Sequence, residues 1–256
     1  MEYWLAQFHI FLLVLLRVSA LLIVAPVFGH RNWLARAKVG LAFMVSLVIF
    51  PLVAHQSIPV PEGLFPYAFT MAREALMGVV MGFAVLLLFV GVQFAGQLAG
   101  LQMGFGIVNV IDPQSANQLS IIGQFLNILA ILLLLVLNGH HLILQGLVTS
   151  FEVIPLGGVV FRDGLMLKVV ALTAQVFVIA VKISAPVMIA LFLVTAAMGV
   201  LARTVPQMNV FMVGFPVQTG VGLAALLISL PLFAVLVERL IGVMGRDLTI
   251  LLALMR

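Results

Sequence analysis

Residues 75–111 read ALMGVVMGFAVLLLFVGVQFAGQLAGLQMGFGIVNVI, 37 consecutive positions without a charged side chain between Glu74 and Asp112. About 20 such residues carry a helix across the hydrocarbon core of a bilayer. Inside lipid every backbone amide must be satisfied within its own segment, so a run of this kind is helical. A barrel strand would alternate apolar with polar residues, and this run does not. Two further charge-free intervals repeat the pattern, 39 residues between Asp112 and Glu152 and 34 between Arg203 and Glu238.

The rest of the 256-residue chain agrees: 64% of it is hydrophobic, 8% charged, and its mean hydropathy is +1.33. Globular domains are about one quarter charged because their surface must be wetted. Twelve basic and eight acidic side chains cannot cover a soluble globule of 27.6 kDa, so most of the surface faces lipid or other protein. The absence of Cys removes disulfides, thiolate metal sites and Cys nucleophiles. The net charge of +4 comes from scattered basic residues with no run among them, which suits a membrane surface and not nucleic acid. The apolar stretch 5–29 has no basic region before it and is too long for a signal peptide, so it reads as a retained span.

The spacing predicts helices near 5–28, 38–54, 73–96, 118–137, 165–202 and 209–240, with 142–154 as a shorter apolar piece, within one membrane domain over 1–256. Punctuation falls at Gly29-His30-Arg31-Asn32, at Pro51, Pro59, Pro61 and Pro66, at Ile111-Asp112-Pro113-Gln114 and at Pro155-Leu156-Gly157-Gly158. The charge rule for orientation is divided. Arg31, Arg36 and Lys38 draw the first connection to the cytoplasm, Glu62, Arg73 and Glu74 lean the second the other way, and the tail with Arg239, Arg246 and Arg256 leans cytoplasmic again. Six full crossings cannot satisfy both cytoplasmic assignments, so some segments are expected to be hairpins.

Arg17 and Lys182 stand in the middle of apolar segments, where each costs roughly 2.5–3.5 kcal/mol on insertion scales. Such groups either pair with backbone carbonyls at packing faces, line a hydrated path, or sit in a protein assembly outside the bilayer. Gly96, Gly100 and Gly104 recur at four-residue spacing beside the polar pair Gln93 and Gln97. Small residues so spaced let helix backbones approach, and the same glycines could make a bendable segment near a passage. The final two segments read as a hairpin, with Ser184-Ala185-Pro186 inside the first arm and Arg203, Pro206, Gln207 and Asn209 at its tip. That tip is either an interfacial turn or a contact for partners.

Chemistry-bearing patterns are sparse. His140 and His141 are adjacent and diverge by about 100° on a helix, which makes joint chelation difficult. His9, His30 and His55 are isolated. Gly104-Phe105-Gly106 lacks the strand and third glycine of a dinucleotide loop, and no G-x-S-x-G or H-E-x-x-H occurs. No catalytic residue, metal or cofactor is called for.

The ordered set Gly100-Leu101-Gln102-Met103-Gly104, Asp112-Pro113, Asn138-Gly139-His140, Pro155-Leu156-Gly157-Gly158, Arg203 to Phe211 and Gly214-Phe215-Pro216, together with Arg17, Ala25-Pro26 and Lys38 to Ala42, resembles the FliR family of flagellar type III export-gate proteins across essentially the whole chain. The family has injectisome counterparts, and the Gly100–Gly104 stretch favours the flagellar branch. The resemblance implies an all-α polytopic membrane protein of long bent hairpins, one sector of a helical hetero-oligomeric pore. It implies a FliP-like front region over 1–160 and a FliQ-like hairpin over 165–256. The implied partners are FliP-like and FliQ-like subunits, other export components and unfolded exported proteins, with lipid around and no nucleic acid. The implied location is the inner membrane at the flagellar basal body, raised towards the periplasm.

By the same resemblance residues 100–113 are the plug of the closed passage, with Gly100, Met103, Gly104, Phe105, Ile107, Val110, Ile111, Asp112 and Pro113 as its members. Arg17 and Lys182 are then buried within the complex, and Arg203, Pro206, Gln207 and Asn209 contact partners. The competing reading is an ion-coupled secondary transporter working through Arg17 and Lys182.

Overall fold

The computed structural model describes residues 2–29, 34–55, 63–105, 120–205, 207 and 209–256. Among them the regular structure is helical: α1 (Glu2–Val24), α2 (Ala35–Val53), α3 (Leu64–Gln102), α4 (Ile121–Val136), α5 (Gly139–Val153), α6 (Asp163–Thr204) and α7 (Val210–Leu254). The chain is a polytopic helical membrane protein, with α1, α2, α3, α6 and α7 each long and apolar enough to span. Two helices overrun the expected bounds. α3 starts before Arg73 and Glu74, and α7 continues through Glu238, Arg239, Arg246 and Asp247, because charge alone does not end a helix when its side chains find partners or snorkel.

The chain packs as two compact units, and each draws segments from both sides of residue 160. The first holds residues 1–87, 138–172 and 241–256. Its core is built from Leu13, Val14, Val18 and Leu21 of α1, Met77 and Met81 of α3, and Ile143 and Leu147 of α5, all shielded from solvent. Gly78 and Gly82, one turn apart on α3, set the α1–α3 distance. A Cβ on Gly78 would lie 2.8 Å from that of Ala20, and one on Gly82 would lie 2.9 Å from the Leu21 carbonyl oxygen. This is small-residue packing of the kind that brings membrane helices close. The Lys168 ammonium meets Asp247 at 2.7 Å, and the Val160 N–H donates to the Met255 carbonyl at 3.1 Å, so the start of α6 and the end of α7 are tied together.

The second unit holds residues 88–137 and 173–240. Val92, Ala95 and Ala99 of α3, Leu126, Ala130 and Leu134 of α4, Ala180, Val187 and Leu191 of α6, and Leu226, Phe233 and Val237 of α7 form its core. The close crossing is between α3 and the start of α4: a Cβ on Gly96 would come within 2.6 Å of the Gly123 nitrogen. Both units leave broad apolar faces uncovered, including Met44 and Val48 of α2, Phe192 and Leu193 of α6, and Leu227 and Ile228 of α7.

Candidate functional site

In the first unit the dominant feature is Arg17, fully enclosed on α1. Its Nε donates to Glu74 Oε2 at 2.6 Å. One terminal nitrogen donates to the Ser150 carbonyl at 3.0 Å and to Ser150 Oγ at 3.2 Å, and both terminal nitrogens reach the Ile154 carbonyl at 3.3 Å. The guanidinium also lies over the Phe151 ring, 4.3 Å from its centroid. Ser150 and Ile154 sit at the end of α5; the Ser150 carbonyl also accepts the Ile154 N–H at 3.1 Å, and the Ile154 carbonyl lies past the helix's own hydrogen bonds. Arg17 therefore closes that end with a positive charge where the helix dipole is negative.

Glu74 completes the arrangement. It is also fully enclosed, and its second oxygen accepts the Gly157 N–H at 2.8 Å. Gly157 has φ +78°, a turn conformation that glycine adopts without steric cost, so the Pro155–Gly158 turn is held against the ion pair. Sequence reading placed Glu74 among loop charges. It is instead the buried partner of Arg17, 57 residues away, which no local window connects. Lys182 is placed differently. It is exposed on α6 beside Val178, Val181 and Ile189, because none of the described residues covers that face.

In the second unit α3 ends at the start of the expected plug. The Phe105 N–H donates to the Gly100 carbonyl at 3.0 Å and the Gly104 N–H to the Leu101 carbonyl at 3.1 Å, while Gly104 has φ +91°. These are the 6→1 and 5→2 bonds of a Schellman ending, with Gly104 as its left-handed residue. Gly104 therefore terminates the helix and does not extend the packing row of Gly96 and Gly100. Those two pack on the first turn of α4. Ser120 donates from Oγ to the Gly96 carbonyl at 3.3 Å and accepts the Gly123 N–H at 3.3 Å, capping α4. A Cβ on Gly100 would strike the same Ser120 hydroxyl. The last turn of α3 at Gly100 and the cap of α4 at Ser120 thus stand side by side. Gln93 and Gln97 flank this crossing, half-buried, with Gln97 Cγ 3.6 Å from a Cβ at Gly123. Ile107, Val110, Ile111, Asp112 and Pro113 lie outside the described residues.

Met103 is fully buried, and its carbonyl accepts a hydrogen bond from Thr219 Oγ1 at 3.0 Å. A cavity of about 460 Å³ opens beside it, lined by Gln102, Gly104, Thr195, Gly199, Phe215 and Gln218 among others. Sequence reading named neither Thr219 nor Gly222, because both look like ordinary small positions in an apolar helix. Arg203, Gln207 and Asn209 are exposed, and Pro206 lies outside the described residues. Arg203 stands in the last turn of α6, where a cation suits the dipole. Asn209 accepts the Met212 N–H at 3.3 Å, capping α7.

His9 is buried against Tyr67, ring centroids 4.9 Å apart, and His140 and His141 pack on each other at 4.1 Å. Among the described residues no three His, Asp or Glu side chains gather to hold a metal ion.

Residues 8–244 match the family described as "Bacterial export proteins, family 1". The chain is similar to the flagellar biosynthetic protein FliR of Bacillus subtilis (strain 168), 38% identical over 251 residues covering 96% of each chain. It is similar to the protein of the same name from Escherichia coli (strain K12), 31% identical over 93% of this chain and 91% of the relative. It also resembles the one from Aquifex aeolicus (strain VF5), 30% identical over 88% and 86%.

Proposed function

The chain belongs to the bacterial export proteins, family 1, and from that premise we propose that it is a non-enzymatic subunit of the flagellar type III export gate, supplying one sector of a closed conduit for unfolded flagellar proteins. The observation that carries this reading is the near full-length likeness to FliR at 38% identity. The described side chains fit a structural role, since the buried charges hold helices and turns together.

In the finer reading residues 100–113 are the plug. Bulky apolar side chains closing a passage exclude water and with it ions, and Phe105, Ile107, Val110 and Ile111 supply such a seal. The anchorage of Gly100–Phe105 on one side and Ser120 on the other supports it, since a plug must be fixed at its base to hold its tip in a lumen. The front region, residues 1–160, then takes the place of a FliP-like subunit and 165–256 that of a FliQ-like hairpin, with FliP-like and FliQ-like partners covering the exposed faces of α2, α6 and α7. Lys182 meets its partner across such an interface, and the tip at Arg203, Pro206, Gln207 and Asn209 contacts other export components. The assembly sits in the inner membrane at the basal body, raised towards the periplasm.

The transporter reading needs Arg17 in a hydrated cavity, whereas each of its three guanidinium nitrogens is bonded to protein.

The test is made in cells carrying the whole export apparatus. Bulky replacements such as Gly100→Leu are expected to abolish secretion of hook and filament subunits. The isolated chain is expected to aggregate in detergent, and co-expression with a FliP-like subunit to rescue it. Unchanged secretion together with lost uptake of a small solute would overturn the gate in favour of the transporter.

A further inference from the structure

The root of the plug is gripped from one side by a single row of α7. Phe215, Thr219 and Gly222 stand at i, i+4 and i+7, hence on one helical face, and each meets the root in a different way. The Phe215 ring fills the space that a side chain at position 104 would take: a Cβ there would lie 2.6 Å from Phe215 Cε2. Thr219 Oγ1 donates to the Met103 carbonyl at 3.0 Å. That carbonyl stands directly after the last residue of α3, at a helix end whose carbonyls need partners from outside the helix, and the hydroxyl supplies one. Gly222 is buried and leaves room for the Met103 side chain, whose Cγ and Cε would stand 2.6 and 3.0 Å from a Cβ on it. All these residues belong to the second unit.

We propose that Phe215, Thr219 and Gly222 are positioning residues that form a latch on Met103–Gly104, holding the plug closed at its root, and that parting of this latch is the movement that opens the conduit. The inference rests on the plug reading above. It places the control of the gate on the α6–α7 hairpin, because the helix that carries the latch begins at the exposed tip around Asn209. A contact made at that tip acts on the helix that grips the plug six to thirteen residues further on, in which Pro216 stands between Phe215 and Thr219. Gly104 is suited to the pivot: its backbone is already in a region where glycine moves between conformations at little cost.

The experiment uses the complete gate in cells, scored for ion leak at rest and for secretion, with co-purification of partner subunits confirming assembly. Thr219→Val removes the donor and keeps the shape, and is expected to raise resting leak severalfold in assembled complexes, while Thr219→Ser keeps the hydroxyl and restores tightness. The chain contains no Cys, so Met103→Cys with Gly222→Cys introduces its first thiols, at positions where a Cβ on residue 222 would lie against the side chain of residue 103. Mild oxidation is expected to cross-link them and stop secretion, and a reductant to restore it. A cross-linked gate that secretes normally, or a Thr219→Val gate as tight as the parent, overturns the latch. The plug reading has its own control: shortening Ile107, Val110 and Ile111 to Ala should leak whatever happens at Thr219. If that variant stays tight, the plug assignment falls first.

Discussion

Removing Glu74 strands a guanidinium that the protein encloses completely. The ion pair in a low dielectric is not itself a large source of stability, since desolvating both groups offsets most of their attraction, yet breaking such a pair costs about 3–5 kcal/mol. Glu74→Gln turns an amide towards Arg17 Nε and is expected to lower the melting temperature of the purified assembly sharply. The exchange Arg17→Glu with Glu74→Arg is expected to fail as well, although it conserves the charges. A carboxylate at position 17 would face the carbonyls of Ser150 and Ile154, which now receive hydrogen bonds from the guanidinium. The Gly157 N–H would lose its acceptor at the same time. Thermal melting followed by light scattering distinguishes these outcomes, and an exchange variant as stable as the parent would show that the pair matters only as charge. Sequence alone exposed Arg17 as a problem needing a partner. It concealed the partner, because the three groups that answer it lie on α3, α5 and the following turn and come together only through folding.

Among the elements α3 is the one whose ending matters most. Gly104→Ala imposes a left-handed backbone on a residue with a Cβ, at about 1–2 kcal/mol, and drives that Cβ into the Phe215 ring. The expected result is a frayed or displaced end of α3 and a lower melting temperature. Adding Phe215→Ala should recover the steric share of the loss and leave the backbone share, which a double-mutant cycle separates. The helices themselves were legible from charge-free runs. Their limits were not. α3 passes through Glu74 because Arg17 neutralises it from another helix, and α7 passes through Asp247 because Lys168 does the same at 2.7 Å. The glycine row was legible as a spacing, but Gly96 and Gly104 differ in what meets them, a neighbouring backbone in one case and a helix terminus in the other. Only a φ angle and the hydrogen bonds at the end of α3 tell these roles apart. Gly78 and Gly82 carried the same spacing signal and do the same packing work against α1.

At the scale of the whole molecule, the unanswered apolar surface is what an assembly must cover, and the glycines divide accordingly. Gly96, Gly123 and Gly222 meet atoms of this chain, whereas Gly199 and Gly220 have nothing within 4 Å of a modest side chain. Both of the latter stand on exposed faces, Gly220 on the α7 face that also carries Leu223, Leu227 and Ile228. If that face met only lipid, a larger side chain there would be neutral, and Ala would gain about 0.5–1 kcal/mol of helix stability. If partner helices pack against it, the glycines are where their backbones come closest. Gly220→Leu is therefore expected to leave synthesis and membrane insertion of this chain unchanged while sharply reducing the other export-apparatus subunits that co-purify with it, and secretion with them. Gly222→Leu serves as the contrast: it collides with Met103 inside the chain and should lower the yield of the chain itself. Normal assembly and secretion in the Gly220→Leu variant would mean that acyl chains, not sister subunits, cover this face of α7, and an assembly would have to form along some other surface.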